Sequence, residues 1–220
     1  MPLRIESMRQ APILKDRAVF LSASIPDPRR WSGPFDALEI TDAVSTAARA
    51  ILTASGRLVS AAHPTIAPLL LYVAGEFPKV SEARVIIYQS RLFDRILPPA
   101  TLRFEEAGVG ILRWTDAVDG EAPEPGRWDG SLQLMRKTML RETDPAAAIF
   151  IGGMEGIPIE HEMFRELYPH RPAYPLGRPG GEARSLAETV VSRLSRELMT
   201  GDVYPAVLRR IVADISRSLG

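Results

Sequence analysis

Short apolar runs rich in β-branched residues alternate with longer amphipathic stretches along the whole sequence, and few folds accept that alternation. Arg17 to Ser22 is expected to be a strand on its Val-Phe-Leu core, broken by Ala23-Ser24-Ile25-Pro26. From Asp36 to Ser55, Leu38, Val44, Ala47, Ala48, Ile51 and Leu52 recur at helical spacing, and Gly56 is expected to close the helix. Leu58 to Ser60 reads as a short strand, and Thr65 to Phe77 as a helix with Pro64 and Pro68 near its start. Ala83 to Gln89 is nearly all apolar, as expected of a strand buried on both faces. A short helix from Pro98 and Pro99 to Ala107 precedes a strand at Val109 to Trp114, and Ala117 to Gly130 reads as an exposed loop. Then follow a helix at Ser131 to Glu142, a buried strand at Ala146 to Ile151, and a helix at Ile159 to Tyr168. An extended segment at Arg171 to Leu176 leads into a glycine-rich loop, then helices at Glu182 to Thr200 and Asp202 to Leu219. This is the pattern of a Rossmann-like α/β fold: an open, mostly parallel sheet with helices on both faces. The 220 residues are expected to form one domain, with residues 1–16 as an N-terminal extension and 202–220 as a C-terminal helix.

Charge narrows the partners. Lys and Arg number 27, as do Asp and Glu, so the basic excess expected of a nucleic-acid groove is missing. Met1 to Leu14 lacks the apolar stretch of a signal peptide, and the apolar-rich segment Ile66 to Ala74 is too short to cross a bilayer. With no cysteine there is no thiolate metal site, disulfide or cysteine nucleophile, and three histidines argue against zinc. The expectation is a soluble cytoplasmic protein with no membrane or nucleic-acid partner, no metal and no bound cofactor.

Open parallel sheets bind ligands where strands hand over to helices. Four handovers stand out here. The first is Ser22-Ala23-Ser24-Ile25-Pro26, small residues with two hydroxyls; the second is Ala61-Ala62-His63-Pro64-Thr65. The third runs Gly152-Gly153-Met154-Glu155-Gly156-Ile157-Pro158-Ile159-Glu160, and the fourth runs from Gly177 to Arg184 through Gly180, Gly181, Glu182 and Ala183. Glycines before a helix start expose amide hydrogens and the positive end of the helix dipole, which attract phosphate or carboxylate. Neither a Walker loop nor a Gly-x-Gly-x-x-Gly fingerprint is present. Composition and spacing therefore reach an anion-binding α/β domain.

The order of these loops resembles the SLOG superfamily, Rossmann-like domains related to the Lonely-guy cytokinin-activating enzymes and to a DNA-processing protein family. In Lonely-guy enzymes a helix with Arg-Lys and Met leads to a strand and a Pro-Gly-Gly-x-Gly-Thr-x-x-Glu loop. Here Met135-Arg136-Lys137 and Met139 lead to a strand and the loop Gly152 to Glu160. The sensor-type SLOG domains of bacterial conflict systems are more similar still. They commonly read Leu-Ser-x-Ser-Ile-Pro, Gly-Gly-His-Pro-Thr, Ile-Gly-Gly-Met-Glu-Gly and a late Gly-Gly-Ala-Ala, where this chain has Leu21 to Pro26, Ala61 to Thr65, Ile151 to Gly156 and Gly180 to Ala183. The resemblance runs from about Val19 to about Leu194. Departures are Ile151 for proline, Ile157 for threonine, one extra loop residue, Ala61-Ala62 for Gly-Gly, and Glu182 for alanine.

The resemblance implies a nucleotide or an NAD-derived molecule in one crevice lined by Ser22, Ala23, Ser24, His63, Pro64, Thr65, Arg136, Gly152, Gly153, Met154, Glu155, Gly156, Gly180, Gly181 and Ala183. Phosphate would lie on the amides around Gly152 to Gly156 and Gly180 to Gly181, Arg136 would pair with a phosphate or the ribose, and His63 and Ser24 would hydrogen-bond the sugar. On that reading Arg136→Ala weakens the ligand by roughly 1.5–3 kcal/mol and changes stability little. A second implication is nucleoside-monophosphate phosphoribohydrolysis, with Glu160 and Arg136 as catalytic residues. A third is a scaffold with an inactive pocket acting as a homo-oligomer, through a face such as Leu186, Val190, Leu194, Val207, Leu208 and Ile211, residues that a core-facing stripe explains equally well.

Overall fold

The computed structural model describes residues 13–77, 84–124 and 126–219. Residues 1–12 of the expected extension, Ala83 and Pro125 of the expected strand and loop, and Gly220 lie outside the described residues. Six strands form one sheet: β1 (Ala18–Ser24), β2 (Arg57–Ala61), β3 (Val85–Ser90), β4 (Ile111–Thr115), β5 (Ala147–Gly152) and β6 (Ala173–Leu176). Every neighbouring pair is parallel, in the order β4-β3-β2-β1-β5-β6. Parallel neighbours need crossover helices, and those helices bury both faces of the sheet. The helices are α1 (Ala37–Thr53), α2 (Ala67–Ala74), α3 (Pro99–Glu106), α4 (Asp129–Thr143), α5 (Gly156–Leu167), α6 (Glu182–Thr189), α7 (Ser195–Thr200) and α8 (Tyr204–Ser218), with a 3-10 turn at Arg91–Ile96.

Alternate residues of β1 enter different cores. Val19 and Leu21 pack with α1, α2 and α8, whereas Ala18 and Phe20 pack with α4 and α5. Val19 to Leu21, Val85 to Tyr88 and Ala148 to Ile151 are all buried, as their unbroken apolar character requires. The carboxylate of Asp36 caps α1 by accepting from the Leu38 and Glu39 amides. Leu14, at the end of the expected extension, is 1% exposed and donates its amide to the Ala54 carbonyl.

Three expectations need correction. Strand β1 does not stop at Ser22 but continues to Ser24, because Ser22, Ala23 and Ser24 stay in register with Phe150, Ile151 and Gly152 of β5. Ser22 and Ala23 are therefore strand residues, not loop residues. The helix after the first glycine loop begins at Gly156, three residues before Ile159, which shortens that loop. The expected helix Glu182 to Thr200 is broken into α6 and α7, although the break contains neither proline nor glycine. Val190 leaves the helix in an extended conformation. Ser192 then turns the chain: its amide donates to the Ser195 hydroxyl, and its own hydroxyl accepts from the Leu194 amide. Serine side chains compete with helical hydrogen bonds in this way. Of the stripe offered as a dimer face, Leu194, Val207, Leu208 and Ile211 are buried in the core, and Leu186 packs on the second core.

Candidate functional site

The strand order reverses between β1 and β5, and their carboxyl ends meet there. The Gly153 amide donates to the Ser24 carbonyl at 2.7 Å, closing the end of the β1–β5 pair. Gly152 and Gly153 both have positive φ, at 63° and 72°, in the left-handed region. The late loop folds over this point: the Glu182 amide donates to the Gly153 carbonyl, and a Cβ on Gly181 would lie 2.5 Å from the carbonyl carbon of Gly152. The connection from β1 to α1 clamps the same loop, since Gly181 donates to Pro34, Asp36 donates to Pro179, and Phe35 bridges Gly180.

From the second strand end, His63, Pro64 and Thr65 precede α2. The Thr65 hydroxyl lies 2.9 Å from His63 Nδ1 and accepts from the Ile25 amide at 3.5 Å, which ties the second loop to the first. The Thr65 amide can only donate, and it points at Nδ1 at 3.4 Å. Nδ1 is thus the acceptor, and the neutral ring carries its proton on Nε2. Burial lowers the pKa of His63, and the nearby Glu160 carboxylate partly opposes that shift. A depressed histidine takes up its proton more readily in the unfolded chain. Its contribution to stability is therefore complete above the unfolded pKa near 6.5 and is lost as pH falls through the folded pKa. Stability of the chain should decline on acidification below about pH 6.5, and His63→Gln should flatten that decline. Urea denaturation from pH 8 to pH 5 measures it; an unchanged slope in the variant would assign the decline to other groups.

Arg136 of α4 and Glu160 of α5 form an ion pair, with Nε donating to Oε1 at 2.8 Å and side chains only 13% and 10% exposed. The neighbouring Lys137 is solvent-exposed. Arg136 Nη2 lies beside Gly156, where a Cβ would come within 3.2 Å of it. The terminal nitrogens of Arg136 have no protein acceptor among the described residues. Of the amides around Gly152 to Gly156 and Gly180 to Gly181 that the sequence reading gave to phosphate, those of Gly153, Gly180 and Gly181 are already donated to protein carbonyls. Unpaired instead, among the described residues, are the amides of Met154, Glu155 and Gly156 at the start of α5, and Ala183 at the start of α6.

Sequence reasoning missed Arg30 and Trp31. Arg30 reaches from the β1–α1 connection to pair with Glu155 on the glycine loop, and the indole Nε1 of Trp31 is buried without a partner among the described residues. No local signal joins Arg30 to a residue 125 positions away. Ser24, His63, Thr65, Arg136, Gly152, Gly153, Met154, Glu155, Gly156, Gly180, Gly181 and Ala183 come from four handovers and one helix, joined by the contacts above. Pro64 is exposed at the rim, and Ser22 is buried within β1.

The model of the SLOG cluster3 family matches residues 30–212, most of the chain and all but the first of these loops. The chain belongs to the SLOG cluster3 family. Its SLOG fold is similar to that in the X-ray structure of TM1055, at 14% identity and a TM-score of 0.51. That similarity covers 83% of this chain and 88% of TM1055 and concerns the fold. No curated protein matches the chain. Among the described residues, no helix of this SLOG chain is long and apolar enough to cross a membrane.

Proposed function

We propose that the crevice at the β1–β5 switch point binds a nucleoside 5′-phosphate or an NAD-derived nucleotide, and that the chain acts as a nucleotide-responsive module. The carrying observation is the set of amides at Met154, Glu155, Gly156 and Ala183 that are unpaired among the described residues, with Arg136 Nη2 beside Gly156 and neither terminal nitrogen of Arg136 paired among those residues. Amides at helix starts and an arginine fork together suit a phosphate group. His63, with its proton on Nε2, and the Ser24 hydroxyl supply a donor and a donor–acceptor for a ribose.

The Arg136–Glu160 pair favours a second reading, hydrolysis of the bound nucleotide. A carboxylate held beside the ribosyl carbon stabilises the oxocarbenium character that develops as the C1′–N bond breaks. Water then adds its hydroxyl to C1′ and its proton to the departing base, leaving ribose 5-phosphate. Arg136 holds Glu160 in place and faces the phosphate.

Thermal-shift titration against purine monophosphates and NAD tests binding, and chromatography of the same mixtures tests hydrolysis. Binding should raise the midpoint progressively with ligand concentration. Raised midpoints without released base or nicotinamide support the responsive module. Released base or nicotinamide establishes the hydrolase. Finding neither a shift nor released base or nicotinamide at millimolar ligand would overturn both.

A further inference from the structure

A second concave site lies at the β6 edge of the sheet, lined by residues other than those of the crevice. It is a cavity of about 630 Å³ along the outer edge of β6, walled by α5, the α5–β6 turn, the segment between α6 and α7, and the end of α8. Its lining holds four arginines and two histidines against a single carboxylate, Asp214. The chain as a whole is neutral, so this is a local concentration of positive charge.

Two of the arginines are already matched. Arg217 pairs with Asp214, and Arg171 pairs with Asp144 while stacking over Tyr168. Arg165 uses one nitrogen on the Arg171 carbonyl and makes no ion pair among the described residues. Arg193 is exposed and makes neither a hydrogen bond nor an ion pair among them. It stands in the segment where the helix expected to run to Thr200 is interrupted, and the interruption turns residues 189–193 into a wall of the cavity. Val191, 96% exposed, adds an apolar rim.

We propose that this cavity binds a small, multiply charged phosphate compound, held by Arg193 and Arg165 and bordered by His161 and His170. The volume suits a ligand of metabolite size. Arg193 stands near Asp214 without forming an ion pair with it, and guanidinium groups that make no ion pair are matched to phosphate oxygens, which accept paired hydrogen bonds from one fork. Electrostatic attraction into a concave surface also raises the local anion concentration.

Isothermal titration of the full chain with inorganic tripolyphosphate tests the assignment. The expected result is one-to-one binding that weakens at least tenfold in Arg193→Glu and in Arg165→Glu. Both residues are surface-exposed, so circular dichroism should show the variants folded. Arg103→Glu, an equal charge reversal on α3, should bind as the original chain does. Three results would overturn the proposal: no binding at millimolar tripolyphosphate, full affinity in Arg193→Glu, or an equal loss in Arg103→Glu. Because none of these residues belongs to the crevice, failure here leaves the nucleotide reading untouched, and the reverse also holds.

Discussion

Gly181→Ala should destabilise the chain by about 3–5 kcal/mol, a large part of the 5–15 kcal/mol that usually holds a domain together. Two costs combine. Gly181 has φ 67° and ψ −167°, a region essentially reserved for glycine, where any side chain adds about 1–3 kcal/mol of strain. The added Cβ would also lie 2.5 Å from the Gly152 carbonyl carbon and 2.8 Å from its Cα and oxygen. Backbone cannot rotate away as a side chain can, so the late loop must lift from the end of β5. Urea denaturation measures the loss. A change below about 1 kcal/mol would mean that the two loops are not packed glycine to glycine.

Arg136→Ala should cost about 2–4 kcal/mol of stability, in addition to its effect on ligand. Removing one partner of a buried pair strands the other, at roughly 3–5 kcal/mol when burial is complete. The residual exposure of 13% and 10% lowers that figure. The sequence reading treats this substitution as nearly neutral for folding, and the ion pair overturns that. Glu160→Leu should cost a similar amount. The double variant Arg136→Met/Glu160→Leu should regain most of the loss, because an apolar pair of similar volume leaves no charge stranded. A coupling energy of about 1.5–3 kcal/mol is expected from the cycle of Arg136→Met, Glu160→Leu and their double variant in denaturant melts. Additive losses would show that each residue acts through other contacts.

These residues also show what local sequence can carry. The parallel sheet was legible because runs such as Val85 to Tyr88 and Ala148 to Ile151 can be buried on both faces only under crossover helices. The four handover loops were legible because glycine, proline and small hydroxyl residues gather where strands end. Misreadings arose where tertiary pairing overrode local preference. Ala23 and Ser24 look like the break that ends the strand, yet register with β5 keeps them extended. Periodicity runs on from Glu182 to Thr200, yet the serine hydroxyls at 192 and 195 take over the backbone bonds that would continue the helix. Gly153 and Gly181 look like free phosphate donors, but their amides are taken by carbonyls more than a hundred residues away in sequence.

Glu39, in the first turn of α1, is held from two directions. One carboxylate oxygen accepts from Arg178 in the late glycine loop at 3.1 Å, and the other accepts from the Tyr204 hydroxyl at the start of α8 at 3.0 Å. Burial first, and then the contact with Glu39, push the Tyr204 hydroxyl's pKa up, so the phenol keeps its proton and remains the donor. The loop and the last helix therefore share one mechanical anchor. Any coupling that Glu39 carries between residues 177–181 and α8 must be equal in both directions, because linkage is reciprocal. A single glutamate thus ties the late glycine loop to the last helix.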